Sequence, residues 1–191
     1  NGRGLKKDFI NFFKSIFQVS KKINIYTDLQ LRKISYITSG STSNVSDLTV
    51  NKKYSFFNPK AGLNFQKDSK NRFYFSVARA FREPTRSDFE NNIEIKPEEL
   101  IDYEMGWNYR DDKFYFNSNL YYMNYKNQLV LTGALDDVGT PIRDNSGESF
   151  RKGIELESAY KLSKKINVSA NISFSKNINR DFKTNFNGEL V

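Results

Sequence analysis

The amino-acid sequence predicts an all-β fold, a segment of an antiparallel transmembrane β-barrel with about eight strands. Three observations carry that expectation. Apolar residues recur with a period of two along arms of about ten residues. Short polar turns near residues 21, 68, 112 and 164 alternate with long polar stretches. No run approaches the roughly 18 apolar residues that a spanning helix requires. A barrel wall needs only every second residue to be apolar, so a mean hydropathy of −0.68 and a hydrophobic content of 38 % are compatible with a chain that crosses a bilayer.

The first strand is read from Asp8 to Val19, with imperfect alternation around Phe12 and Phe13, before a turn at Ser20, Lys21 and Lys22. The second sets Ile23, Ile25, Leu29 and Leu31 against Asn24, Tyr26, Asp28, Gln30 and Arg32, which places Asp28 and Arg32 on one polar face as an expected charge pair or network on the lumen side. Ser, Thr, Gly, Asn and Asp dominate Thr38 to Lys53, predicting a long loop. A third strand from Tyr54 carries Phe57, Ala61, Leu63 and Phe65 on one face, turns at residues 66–71, and gives way to a fourth from Arg72 to Phe81. Residues 82–98 read as a polar connection.

Strand five alternates Ile101, Tyr103, Met105, Trp107 and Tyr109 with Asp102, Glu104, Gly106 and Asn108; Asp111 and Asp112 turn it. Strand six carries Phe114, Phe116, Leu120 and Tyr122 and continues toward Val130, followed by a third long loop over 132–148. The clearest hairpin comes last. Ile154, Leu156, Tyr160 and Leu162 share one face, Ser163 to Lys165 turn, and Ile166, Val168, Ala170, Ile172 and Phe174 alternate with Asn and Ser. From Asn177 a polar tail reads as the start of a fourth long loop. Short turns about 45 residues apart with long loops between them are the asymmetry of outer-membrane barrels. Aromatic residues near strand ends, Tyr54, Phe56 and Phe57, Trp107 and Tyr109, and Tyr121, Tyr122 and Tyr125, suggest interfacial girdles.

Composition excludes several functions. With no Cys there is no disulfide or thiolate metal site, and with no His and no Gly-x-Ser-x-Gly elbow a triad hydrolase is disfavoured, so no enzyme is expected. Asp136, Asp137, Asp144 and Glu148 lack the alternating ligands and central Gly of a calcium loop, and neither metal nor cofactor is expected. The net charge is +8, but Lys and Arg are scattered and no recognition helix or aromatic RNA-binding strand is visible, so nucleic acid is not expected as a partner. Anionic lipid is compatible with the same charge. The chain opens without Met and reads as part of a longer polypeptide.

Four landmarks then recur in order: Phe57-Asn58-Pro59-Lys60-Ala61-Gly62, Ala80-Phe81-Arg82-Glu83-Pro84-Thr85-Arg86-Ser87-Asp88-Phe89, Pro97-Glu98-Glu99-Leu100 leading to Tyr103-Glu104-Met105-Gly106-Trp107, and Arg151-Lys152-Gly153-Ile154-Glu155-Leu156-Glu157. Together they resemble the barrel of TonB-dependent outer-membrane receptors, particularly those of the Bacteroidetes type. The resemblance implies a larger barrel of about 22 strands around a plug. Residues 1–191 would be a partial barrel domain, without the plug, the early strands and the final strands. It implies energy-dependent uptake of a scarce nutrient, such as siderophore-iron or cobalamin, at the Gram-negative cell outer membrane. Implied partners are membrane lipid and lipopolysaccharide, the protein's own plug, the TonB complex and a small ligand.

Candidate ligand-binding residues are Arg82, Arg86 and Asp88 past the fourth strand, where Pro84 stops strand continuation, and Arg32, Glu104 and Arg151 on polar faces. Guanidinium forks suit carboxylate and phosphate ligands. The competing expectation is that Arg82 and Arg86 pair with Glu83, Asp88 or neighbouring acids to hold a loop base. The alternative function is a passive outer-membrane barrel or adhesin without TonB coupling.

Overall fold

A computed structural model describes residues 2–41, 48–136, 139–180, 185–186 and 189–190, the last two pairs as backbone only. Eight strands form one antiparallel sheet: β1 (Gly2–Gln18), β2 (Ile23–Gly40), β3 (Leu48–Gln66), β4 (Asn71–Arg82), β5 (Glu98–Arg110), β6 (Phe114–Lys126), β9 (Glu148–Lys161) and β10 (Asn167–Asn179). They lie in that order, every one beside its sequence neighbour except where β6 meets β9. Between those two, β7 (Leu129–Leu135) and β8 (Pro141–Asn145) make a hairpin of their own, and β11 (Asn185–Phe186) pairs with β12 (Glu189–Leu190) near the end. Helix α1 (Arg86–Asn91) interrupts the connection from β4 to β5.

The register carries the period of two across the whole sheet. Phe17, Ile25, Leu63, Phe75, Met105, Leu120, Ile154 and Phe174 follow one another from strand to strand as direct partners, an unbroken apolar row on one face. The opposite face carries Tyr26, Gly62, Ser76, Glu104, Tyr121, Gly153 and Ser175 in the same way. Leu156 falls on the apolar face and Glu155 on the polar one, because neighbouring residues of a strand point to opposite sides. The apolar face has no cover: Phe75, Met105 and Phe174 are 47 %, 54 % and 59 % exposed. On the polar face tyrosines lie flat over cross-strand glycines. A Cβ at Gly106 would meet the Tyr74 ring and the Ser118 carbonyl oxygen at 2.4 Å, so only glycine fits.

Aspartates close two of the tight turns. Asp111 Oδ1 accepts the Lys113 and Phe114 amides at 2.9 and 2.7 Å, and Asp68 accepts those of Lys70 and Asn71 at 2.9 Å, each side chain imitating a backbone turn. Beside the turns the outer aromatics touch. Trp107 packs on Phe73 and Phe116 with centroids 6.2 and 5.4 Å apart, and its indole N–H donates to Asn71 at 3.0 Å, as an interfacial ring does.

The structure corrects several boundaries. β2 and β3 run 18 and 19 residues, so the loop expected over Thr38 to Lys53 shrinks to 41–47, of which 42–47 lie outside the described residues. Polar composition there reflects strands that continue past the membrane into water, where a face need not be apolar; about ten residues suffice to cross. The supposed loop over 132–148 holds β8 and much of β7, and the connection over 82–98 holds α1. Not all the end-clustered aromatics belong to girdles either. Tyr54, Phe56, Tyr121 and Tyr125 sit on the polar face, Phe56 stacking between Tyr54 and Phe81 at 5.4 and 5.2 Å.

Candidate functional site at the loop end of the polar face

The long-loop end of the sheet has what its middle lacks, a buried apolar cluster. Leu48, Val50, Phe89, Ile95 and Leu129 pack together, with Tyr36 and Tyr54 against them. Leu48, Val50, Tyr36 and Tyr54 come from the polar face of β2 and β3, while Phe89 and Ile95 come from α1 and the chain after it. The connection therefore folds across the polar face, with Phe89 stacked on Tyr36 at 5.8 Å.

Asp88 holds this connection to the next. Only 2 % exposed, it accepts from the Thr85 amide and hydroxyl at 2.7 and 2.8 Å, closing the start of α1. It also takes Arg143 of β8 at 3.0 and 2.9 Å, a two-point grip by a guanidinium fork. Arg86 pairs along the helix with Glu90 at 2.7 Å, and Arg82 reaches Glu98 at 3.0 Å, which in turn accepts the Leu129 amide at 2.8 Å.

A second network lies on the β1 side. Arg32 spans Asp8 at 2.5 Å and Glu83 at 2.8 Å, and Lys6 joins Glu83 at 2.6 Å. Burial pushes the Glu83 carboxyl up, but hydrogen bonds from Lys6, its own backbone and Arg32, with the Arg32 charge, hold it below its ordinary value. The expected pair of Arg32 with Asp28 does not form. Asp28 pairs with Lys14 at 3.1 Å instead, because strand β1 brings Asp8 within reach of the guanidinium on the far side.

Arg82, Arg86 and Asp88 thus stand around one module, Arg32 is joined to its base through Glu83, and Glu104 and Arg151 lie deeper on the polar face. Arg82 and Arg86 take neighbouring acids, Glu98 and Glu90, within the competing expectation, though neither takes Glu83 or Asp88 itself. Glu104 is 3.5 Å from the Ser76 hydroxyl, and the exposed Arg151 guanidinium lies 5.3 Å from the Tyr125 ring centre. Nearby Asp102, also on this face, has a buried Oδ1 without a hydrogen-bond partner. Sequence reasoning missed Lys6, Asp8 and Arg143 because each reaches its partner only through the fold, Arg143 across 55 residues. Of the four acids weighed for calcium, Asp137 lies outside the described residues, and among those described no three such groups converge.

The family model for TonB dependent receptor-like β-barrels matches residues 21–191. That model covers these receptors in general, not the Bacteroidetes branch. No curated protein matches at the level of sequence. Solved structures do match in fold: the copper transporter OprC (TM-score 0.78, 15 % identity, 92 % of this chain and 30 % of that one) and the siderophore receptor PiuA from Acinetobacter baumannii (TM-score 0.76, 19 % identity, 98 % and 28 %). The FrpB iron transporter from Neisseria meningitidis matches with a TM-score of 0.69 at 20 % identity over 92 % and 26 %. The chain spans less than a third of each.

Proposed function

Because this chain belongs to the TonB-dependent receptors as part of their outer-membrane β-barrel, we propose that it walls the import path for a scarce, chelated nutrient, an anionic iron chelate of the siderophore kind. The family resides in the Gram-negative outer membrane, so the apolar face meets lipid and the polar face lines the lumen. Homologous barrels with this fold import iron, siderophores and copper and are transporters or receptors. In this reading residues 1–191 form only part of the barrel. A plug in the lumen and an N-terminal segment that engages the TonB complex belong to the same protein.

The observation that carries the reading is the module folded over the polar face at the long-loop end. It presents Arg82 and Arg86, which are 51 % and 40 % exposed despite their ion pairs, with Arg151 below them. Cations with spare donors at a lumen mouth suit an anionic chelate. The test is whole-cell uptake of a labelled ferric siderophore under iron limitation by a strain whose only such receptor is the full-length protein. Uptake should stop when the inner-membrane proton gradient is collapsed, and fall about tenfold in Arg82→Ala/Arg86→Ala/Arg151→Ala, the loss of a few charge-assisted contacts. Uptake indifferent to the gradient would favour a passive barrel, and uptake unchanged in the triple variant would remove these residues from the path.

A further inference from the structure

The wall has a seam between β3 and β4. The two strands pair from Gln66 and Arg72 beside the tight turn up to Lys60 and Ala78, and among the described residues no backbone ladder joins them beyond that point, although β3 continues to Leu48 and β4 to Arg82. The break falls at Pro59, which has no N–H to give a ladder. The register of β3 with β2 runs straight through the proline, and the pairing toward β4 is the one that stops. The end of β4, from Arg79 to Arg82, is therefore zipped to β5 alone.

Side chains close what the backbone leaves open. Asn58, beside the proline on the polar face, accepts the Phe81 amide on Oδ1 at 3.0 Å and donates from Nδ2 to Gln30 Oε1 of β2 at 2.8 Å. The Phe81 ring fills the gap. By its register with β5 it continues the outward series of Phe73, Phe75 and Val77, yet it stacks on Phe56 of the polar face at 5.2 Å, with the Arg79 guanidinium 4.6 Å from its ring centre.

The residue after Phe81 is Arg82, whose side chain reaches Glu98 at 3.0 Å and stands half exposed at the mouth. Its stretch of backbone is held by β5 on one side and, on the other, by the hydrogen bond from Phe81 to Asn58. A cation on a strand end that frays must be ordered by its ligand, which weakens binding. We propose that Asn58 is the positioning residue for Arg82: without touching the cargo, it fixes the end of β4 so that the guanidinium is already in place for an anionic chelate. This rests on the place given to Arg82 in the import path above. The side chain has to accept from an amide on one strand while donating to an amide oxygen on the other, and Asn does both.

Asn58→Leu in the full-length receptor, a change of similar shape without hydrogen-bonding groups, tests the role. Amide hydrogen exchange reads the strand end with no cargo present. Phe81 should exchange about tenfold faster in Asn58→Leu, the loss of one hydrogen bond, and return to the parent rate in Asn58→Asp, which still accepts the amide. Exchange unchanged in Asn58→Leu would overturn the inference. Uptake of the labelled ferric siderophore reads the cargo side. Asn58→Leu should raise KM about threefold, the share of one of the three cations named above, and leave the maximal rate alone. Arg82→Ala should do the same, and Arg82→Ala/Asn58→Leu should be no weaker than Arg82→Ala, because nothing is left to position. Additive losses, about ninefold in the pair, would show that Asn58 acts apart from Arg82 and overturn the inference, as would a lower maximal rate at unchanged KM. Heat-modifiable gel migration confirms that each variant is folded. A parent receptor that takes up no ferric siderophore would remove the cargo reading and this inference with it, whereas normal parental uptake beside an unchanged KM in Asn58→Leu would remove this inference alone.

Discussion

The lower sheet and the module at its long-loop end are built by opposite rules from one chain. Across the membrane band the large apolar side chains point outward, Met105 and Phe174 more than half exposed, while the polar groups turn toward the lumen. At the mouth the order reverses: Phe89 and Val50 are 1 % and 2 % exposed, and the charges of Asp88, Glu83 and Arg32 pair around them. The surroundings differ, and the hydrophobic effect follows the surroundings. In lipid an outward Leu costs nothing, so backbone pairing and lumen contacts define the wall. In water the same residue must be covered, so the mouth builds a small core of its own.

The sharpest way to break this comparison is a charge on the lipid face. Leu156→Arg should lower the unfolding free energy of the receptor refolded in lipid by about 2 to 4 kcal/mol, and Glu155→Lys by well under half of that. Those values come from denaturant titration of the two variants beside the parent. A larger loss at Glu155 would mean that the faces are exchanged and that the sheet has a water-facing exterior.

A smaller effect, confined to the mouth, is expected from Asp88→Ala. It removes the closure of α1 and half of the Arg143 pair, costing about 1 to 2 kcal/mol because the freed Arg143 can still reach water. Amide hydrogen exchange should accelerate over residues 85–95 and 141–145 and stay unchanged in the lower halves of β4 and β5. Acceleration throughout the sheet would show that mouth and wall are one cooperative unit, contrary to the contrast drawn above.

The smallest effect is on pH. Glu83 is held below its ordinary pKa of 4.5, so its contribution is complete above that value and fades as the pH falls through it toward the depressed folded value. Limited proteolysis of the β4–β5 connection should therefore be flat from neutral pH down to about 5 and quicken below about 4.5. Glu83→Gln should abolish that acid limb, and an unchanged limb would assign it to other carboxylates.

Strand faces were legible because alternation is local: Phe73, Phe75 and Val77, or Ile172 and Phe174, fall on one side whatever surrounds them. The tight turns were legible for the same reason, each being decided by a few polar residues. The ends of β2 and β3 were not, since Thr38, Thr49 and Asn51 belong equally to a loop or to a strand in water. The pairs at the mouth were less legible still. Arg86 found Glu90 four residues away, a helical spacing, but the short α1 gives no apolar period by which to recognise it.

The sequence by itself determined that this protein is a wall of antiparallel strands with a lipid side and a lumen side, because a period of two and a short turn need no distant partner to be read. Only the tertiary structure decided which charges meet. Asp8 with Arg32 depends on the register of two paired strands and Arg143 with Asp88 on two connections that meet across the fold, and a Coulomb interaction follows distance in space, not distance in sequence.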